Sequence, residues 1–205
     1  MAKEPNTHLT PSPVRDRLID AADRLFYSEG VRAVSVDRVL DEAEAAKASL
    51  YAHFGCKDQL VAAYVQRRVD VCRARLEATM ADVPPADRAL HLFDWVVEQT
   101  QQPDFRGCPV MHVVSELADA RHPARVVAAE QRTWMHRQLV TWARAAGAAD
   151  PHRVAGALQV LLDGAVAAAE QDGPQRAHDA RWLAEQLLSQ GGAAAAGRPA
   201  PGSGH

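Results

Sequence analysis

Forty of the 205 residues are alanine, and this excess constrains the fold more than any other feature of the chain. Alanine is the strongest helix former and a poor strand former, so a sandwich or barrel would lack the β-branched and aromatic rows it needs. Aromatic residues make up only 5% of the chain, which removes most of the remaining strand material. Apolar residues nevertheless reach 47%, too many for a disordered chain and enough for the core of one to one-and-a-half ordinary domains. There is no segment of period-2 alternation and no internal repeat. The chain is expected to be all-α.

Other bulk properties exclude further classes. The formal charge is −3, so general attraction to polyanions is not a theme. Cys56, Cys72 and Cys108 are odd in number and widely spaced, which suits a reducing cytoplasm rather than a disulfide framework. The longest apolar run, Val160 to Ala169, is interrupted by Asp163 and is too short to span a membrane. Residues 1–13 carry polar and proline residues with no apolar segment of signal-peptide type, and are expected to form a flexible arm.

Helical periodicity begins at Val14. Leu18, Ala21, Ala22, Leu25 and Phe26 share one face with it, and Gly30 supplies the stop. Ser35 is a good N-cap for a short helix carrying Val36, Val39, Leu40 and Ala43. A third short helix, about Lys47 to Phe54, buries Leu50 and Phe54, and Gly55 breaks it. Longer helices follow: Lys57 to about Ala81, Asp87 to Gln101, Pro109 to Ala120, Pro123 to Ala146, His152 to Asp172 and Arg176 to Gln190. Pro84-Pro85, Gly147 and Gly173-Pro174 punctuate them. The tally is about nine helices, with a Gly/Ala/Pro-rich tail over 191–205 expected to be disordered.

Two short helices joined by a tight turn, Glu44-Ala45-Ala46, and packed behind a longer one make a helix-turn-helix candidate. With Leu50 and Phe54 inward, Lys47, Ser49, Tyr51 and His53 project outward or flank the seam. They offer charge, hydroxyls and a ring N–H to a duplex, and Ala48 and Ala52 permit close approach to base edges. Charge does not reinforce this: the first sixty residues hold eight basic and ten acidic groups, so any basic footprint is local.

The segment from Arg17-Leu18-Ile19-Asp20-Ala21-Ala22 through Gly30 and Ser35-Val36-Asp37-Arg38-Val39 resembles the TetR family of bacterial transcriptional regulators. The run Leu50-Tyr51-Ala52-His53-Phe54-Gly55-Cys56-Lys57-Asp58-Gln59-Leu60 carries the family's strongest signature. The resemblance is specific over about Val14 to Tyr64, and Phe105-Arg106-Gly107-Cys108-Pro109 looks like a feature of one subset. It implies an all-α homodimer with a DNA-binding domain at 14–56 and a ligand-binding and dimerisation domain at 57–190. Double-stranded operator DNA and a small-molecule effector are the implied partners, with no cofactor. Family-type DNA contacts fall on Ser35, Arg38, Lys47, Ser49, Tyr51, His53 and Lys57. Two departures stand out. The usual Ala-Gly-Val turn is Ala43-Glu44-Ala45, so Glu44 must turn without glycine's freedom at positive φ, and the usual serine before Lys57 is Cys56.

In the C-terminal part, Trp95, Cys108, Met111, His112, Ser115, Trp134, Met135 and Gln138 mix apolar surface with polar groups, as small-ligand sites do. Arg67, Arg68, Arg73 and Arg75 read mainly as a solvated face of the fourth helix. Leu158, Leu161, Leu162 and Ala165, with Leu183 and Leu187 of the last helix, supply apolar stripes for a four-helix dimer seam. Asp163 is then a pocket group or is paired to an arginine across that seam. Cys108 and His112 stand at metal-ligand spacing, but a structural zinc site wants four ligands, so no metal is expected. As a nucleophile and base they lack a third orienting group, so an enzyme is not expected. Cys108 or Cys56, each near a helix start where a thiol pKa can fall, gives the alternative of a redox- or electrophile-sensing regulator.

Overall fold

The computed structural model describes residues 13–196, which form nine helices and no strand. Residues 1–12 of the expected arm and 197–205 of the expected tail therefore lie outside the described residues, and Pro13 opens α1. The elements are α1 (Pro13–Glu29), α2 (Val36–Glu42), α3 (Lys47–Phe54), α4 (Lys57–Met80), α5 (Arg88–Thr100), α6 (Pro109–Glu116), α7 (Pro123–Ala145), α8 (Pro151–Asp172) and α9 (Gln175–Ala196). They fall into two compact units. The first comprises residues 13–68 with His112–Ala128, and the second Val69–Met111 with 129–196. Helices α4, α6 and α7 each belong in part to both, whereas the sequence reading cuts the chain at residue 57.

The first unit is built on the apolar face of α1, against which α2 and α3 pack. Leu18, Ala21 and Ala22 are fully buried with Val39 and Leu50, and Phe26 meets Tyr64 edge-on at 5.6 Å between ring centroids. Ser35 caps α2 by accepting the Arg38 N–H at 3.2 Å. At the other end of α2 the Ala45 N–H donates to the Leu40 carbonyl (3.0 Å) and the Glu44 N–H to that of Asp41 (3.2 Å). This is a Schellman closure, which needs a left-handed residue just past the helix. Glu44 takes that place at φ +47, the one non-glycine residue at positive φ among the described residues. Arg17 of α1 braces the turn, donating from Nε to the Ala43 carbonyl (3.1 Å) and from Nη2 to that of Glu44 (3.4 Å).

The second unit is a bundle in which α8, α9 and α5 pack on one another. Its core holds Leu92, Phe93, Leu139, Ala155, Leu158 and Ala184 at complete burial. Helices α8 and α9 bury several alanines, among them Ala165, Ala169, Ala177 and Ala180, whose small side chains suit close helix packing. Arg181 of α9 pairs with Asp94 of α5. Asp163, expected as a pocket group or as the partner of an arginine across the seam, pairs with Arg132 of the same chain at 2.6 Å.

Two helix ends differ from expectation. Helix α6 stops at Glu116 rather than Ala120, because Arg125 Nη1 takes the carbonyls of Val114 (3.2 Å) and Leu117 (2.8 Å). The chain then turns, with Asp119 accepting the Arg121 N–H at 2.9 Å, and His122 Nδ1 accepts the Ala124 N–H at 3.1 Å where α7 begins. Helix α9 continues past Gln190 to Ala196, so 191–196 is helical rather than disordered; four alanines in a row favour that extension. The left-handed strain at Glu44 gives a direct test. Glu44→Gly should raise stability by about 0.5–1 kcal/mol, the αL penalty relieved less the entropy glycine adds to the unfolded chain. A urea midpoint that rises at constant slope would register it.

Candidate functional site

Helix α3 turns Leu50 (fully buried) and Phe54 into the first unit and leaves Lys47, Tyr51, Ala52 and His53 exposed. Tyr51 is 47% exposed, high for an aromatic ring, and Ser49 is half-buried at the edge of the same face. Helix α3 starts at Ala46 without a side-chain cap. The face therefore joins an ammonium, two hydroxyls and an imidazole to the small side chains of Ala48 and Ala52, a composition suited to phosphates and base edges.

The cations around this face are held by carboxylates. Arg38 makes a two-point pair with Glu29, one arm at 2.7 Å, and Lys47 lies 3.4 Å from Asp37. All four side chains are a third or more exposed. Such surface pairs are worth about 0–1 kcal/mol, so a phosphate can displace the carboxylates at little cost. Ser35 is committed to its cap, and its hydroxyl remains on the surface.

Lys57 differs from expectation. Its ammonium turns inward, donating to the carbonyls of Val31 (2.7 Å) and Val34 (2.5 Å) and lying 5.9 Å from the Phe26 ring centroid. Burial pushes its pKa down, and the carboxylates of Asp58 and Glu116 offset part of the shift. This ammonium anchors the α1–α2 loop and is not placed to meet a phosphate. Three of the four arginines of α4 are likewise engaged rather than merely solvated. Arg67 pairs with Asp20, Arg68 pairs with Asp23 and stacks on Tyr27 at 4.2 Å, and Arg73 donates to Gln131 (2.6 Å) and covers Trp134 at 4.8 Å.

Of the eight candidate ligand residues, Trp134 and Gln138 come together. They line a cleft of about 130 Å³ in the second unit with Leu76, Glu77, Met80, Arg88 and Trp142. Trp134, Gln138 and Trp142 follow one another at i, i+4 and i+8, a spacing readable from sequence that would have added Trp142. The others lie elsewhere. Met135 is buried in the core with Trp95 packed against it, and neither lines the cleft. Met111 and Cys108 are half-buried. Ser115 is exposed and donates to the His112 carbonyl at 2.8 Å, and His112 belongs to the first unit, its ring stacked on Tyr27 at 6.2 Å.

The two thiols of the second unit, Cys72 and Cys108, do not have the environment a sensor requires. The amides of Val110 and Met111 do reach Cys108, as a helix start implies, but burial outweighs them and pushes its pKa up. Burial also pushes Cys72 up to about 11, with Cys108 adding to the rise and Arg75 and Arg73 opposing it. Cys56 is exposed. No cluster of three or more metal-ligating side chains occurs among the described residues, and no described helix is long and apolar enough to cross a membrane.

The candidate seam residues divide. Leu158 and Ala165 are sealed inside the chain's own core, because α8 turns this face toward α5 and α9. Leu161, Leu162 and Leu187 are half-buried against that core, and Leu183 is 43% exposed. The most exposed large apolar groups of α8 and α9 are ones the periodicity did not single out, Val160 at 68% and Trp182 at 59%.

Residues 18–64 match the family described as bacterial regulatory proteins, tetR family. A TetR-family transcriptional regulator from Streptomyces coelicolor, whose crystal structure is known, is 30% identical with a TM-score of 0.83, covering 88% of this chain and 96% of its own. A second solved regulator, from Streptomyces avermitilis, is 32% identical with a TM-score of 0.80, covering 88% of this chain and 98% of its own. The repressor DhaR from a Mycobacterium species is 27% identical over 109 residues, 52% of this chain and 54% of its own length. The chain spans about half the length of the curated relatives such as this one. With the family's signature on α1 to α4 and whole-chain likeness to two solved members, this chain belongs to the TetR family of bacterial transcriptional regulators.

Proposed function

We propose that the chain is a transcriptional repressor that binds double-stranded operator DNA as a homodimer in the cytoplasm and is released by a small-molecule effector. The observation that carries this reading is the exposed polar face of α3, with Lys47, Ser49, Tyr51 and His53 opposite the buried Leu50 and Phe54. Arg38 and Ser35 flank it at the start of α2. Repression is favoured by the resemblance to DhaR, which is a repressor. The exposed Val160, Trp182 and Leu183 of α8 and α9 are large apolar groups that a symmetric partner would cover. The cleft at Trp134, Gln138 and Trp142 is the favoured effector site, and its volume of about 130 Å³ limits it to a compact ligand. No enzymatic role is proposed, because a raised Cys108 pKa opposes its use as a nucleophile.

Binding to a duplex that the protein itself enriches from random sequence, followed across salt concentration, tests the reading. Lys47→Ala should flatten the log–log salt slope by about 0.9 for each phosphate that the ammonium neutralises in the wild type. Tyr51→Ala should weaken the enriched duplex far more than a random one. Lys57→Ala should instead lower the melting temperature of the free protein and leave the salt slope unchanged. A wild-type affinity indifferent to salt, together with a silent Tyr51→Ala, would sink the proposal.

Two further outcomes are expected. Val160→Glu, at a site already exposed in the single chain, should leave the helical spectrum intact and shift sedimentation from dimer to monomer. In alkylation at neutral pH, exposed Cys56 should react well before Cys72 and Cys108, whose raised pKa values leave little thiolate. Rapid labelling of Cys108, read by peptide mass, would restore it as a sensor.

A further inference from the structure

The loop between α1 and α2, residues 30–34, leads directly into the Ser35 cap and so sets where α2 begins. It is gripped from two sides. Lys57 takes its carbonyls at Val31 and Val34. On the other side stands Glu116, the last residue of α6 and 84 positions away from Arg32 in sequence. Its Oε2 accepts the Arg32 N–H at 2.9 Å, and its carbonyl accepts from Arg32 Nη1 at 3.4 Å. Gly30 makes room for this carboxylate: a Cβ there would lie 3.1 Å from both of its oxygens, at a φ of +89 that favours glycine in any case. The charge of Glu116 also supports the partly buried ammonium of Lys57.

The end of α6 is itself fixed. Arg125 holds the carbonyls of Val114 and Leu117 on either side of Glu116. A few residues on, His122 Nε2 lies 3.3 Å from Asp58 in the first turn of α4. Glu116 thus reaches the loop that leads into α2, and His122 reaches the first turn of α4.

We propose that Glu116 is a positioning residue for operator binding: by holding the Arg32 N–H it fixes the α1–α2 loop, and through Ser35 and the braced turn it sets the attitude of α2 and α3. The inference rests on the operator-binding reading above. It makes DNA affinity depend on a residue of α6, well outside the DNA-contacting helices. It also predicts a sign opposite to plain electrostatics. Removing a carboxylate near a DNA face should tighten binding if charge alone mattered.

Three substitutions in the full-length protein separate reach from charge. Glu116→Gln keeps an acceptor oxygen for the Arg32 N–H but loses the charge. Glu116→Asp keeps the charge but falls one methylene short. Glu116→Ala loses both. With the duplex enriched by the wild-type protein as probe, the Ala and Asp variants should bind about tenfold more weakly, as expected for loss of one charge-assisted hydrogen bond. The Gln variant should remain within a few-fold of wild type, and binding to random duplex should be unchanged in all three. Amide hydrogen exchange without DNA gives an independent reading: Arg32 and α2 should exchange faster in the Ala and Asp variants, with α8 and α9 unaffected. The assignment is overturned if Glu116→Ala or Glu116→Asp holds the enriched duplex at wild-type strength, or if α2 exchange is unaltered in both. Failure of the wild type to enrich any duplex would count against the operator reading itself, while the exchange comparison still decides whether Glu116 fixes α2.

Discussion

The ammonium of Lys57 is the interaction on which the rest of the first unit depends. It opens α4, lies over the Phe26 ring of α1 and donates to two carbonyls of the loop that leads to α2, so three helices take their mutual positions from one side chain. Burying part of an ammonium is costly, as its lowered pKa records. Two charge-assisted hydrogen bonds, each worth roughly 1.5–3 kcal/mol, offset that cost, and the nearby carboxylates of Asp58 and Glu116 add to the offset. Without the ammonium, the Val31 and Val34 carbonyls would lose their donor, and the Ser35 cap would lose its fixed origin.

From that corner the geometry passes outward in short steps. Ser35 starts α2, a Schellman closure ends it at Glu44, and Arg17 holds the turn from the side of α1. Glycine would adopt this turn without strain. With glutamate there, the φ of +47 is sustained by the two N–H bonds of the closure and the two bonds from Arg17. The angle of α3, and so of Tyr51 and Lys47, is set by these hydrogen bonds to the turn's backbone rather than by the residues that face solvent. The modest charge of this region fits the same logic: its few cations are parked on carboxylates in weak surface pairs and remain available to a stronger anion.

Much of this was legible in the chain. The starts and ends of α1 to α5, α7 and α8 follow from apolar spacing, Ser35, Gly30, Gly55, Gly147 and the prolines, because capping and breaking are local events. The outward residues of α3 followed from two inward ones. The premature end of α6 was not legible, since Arg125 imposes it from the following helix. The direction of Lys57 was not legible either: a lysine at a helix start serves equally as a phosphate ligand or as an anchor for carbonyls that the fold brings near. Most of the ligand candidates dispersed for a similar reason. Trp95 and Met135 have the chemistry of a pocket, but packing assigned them to the core and left Trp134, Gln138 and Trp142 along one helical stripe beside the cleft.

The sequence by itself determined that the protein is helical, that a helix-turn-helix lies near its start, and which face of α3 meets solvent. Alanine content, helical periodicity and caps act within a few residues and need no distant partner. Only the tertiary structure decided which cations are anchors and which are free to exchange, which apolar groups of α8 and α9 are core and which are surface, and that Glu116 reaches Arg32 across 84 positions. Those outcomes depend on the distance between groups far apart in the chain, and on how much water each retains once the helices have packed.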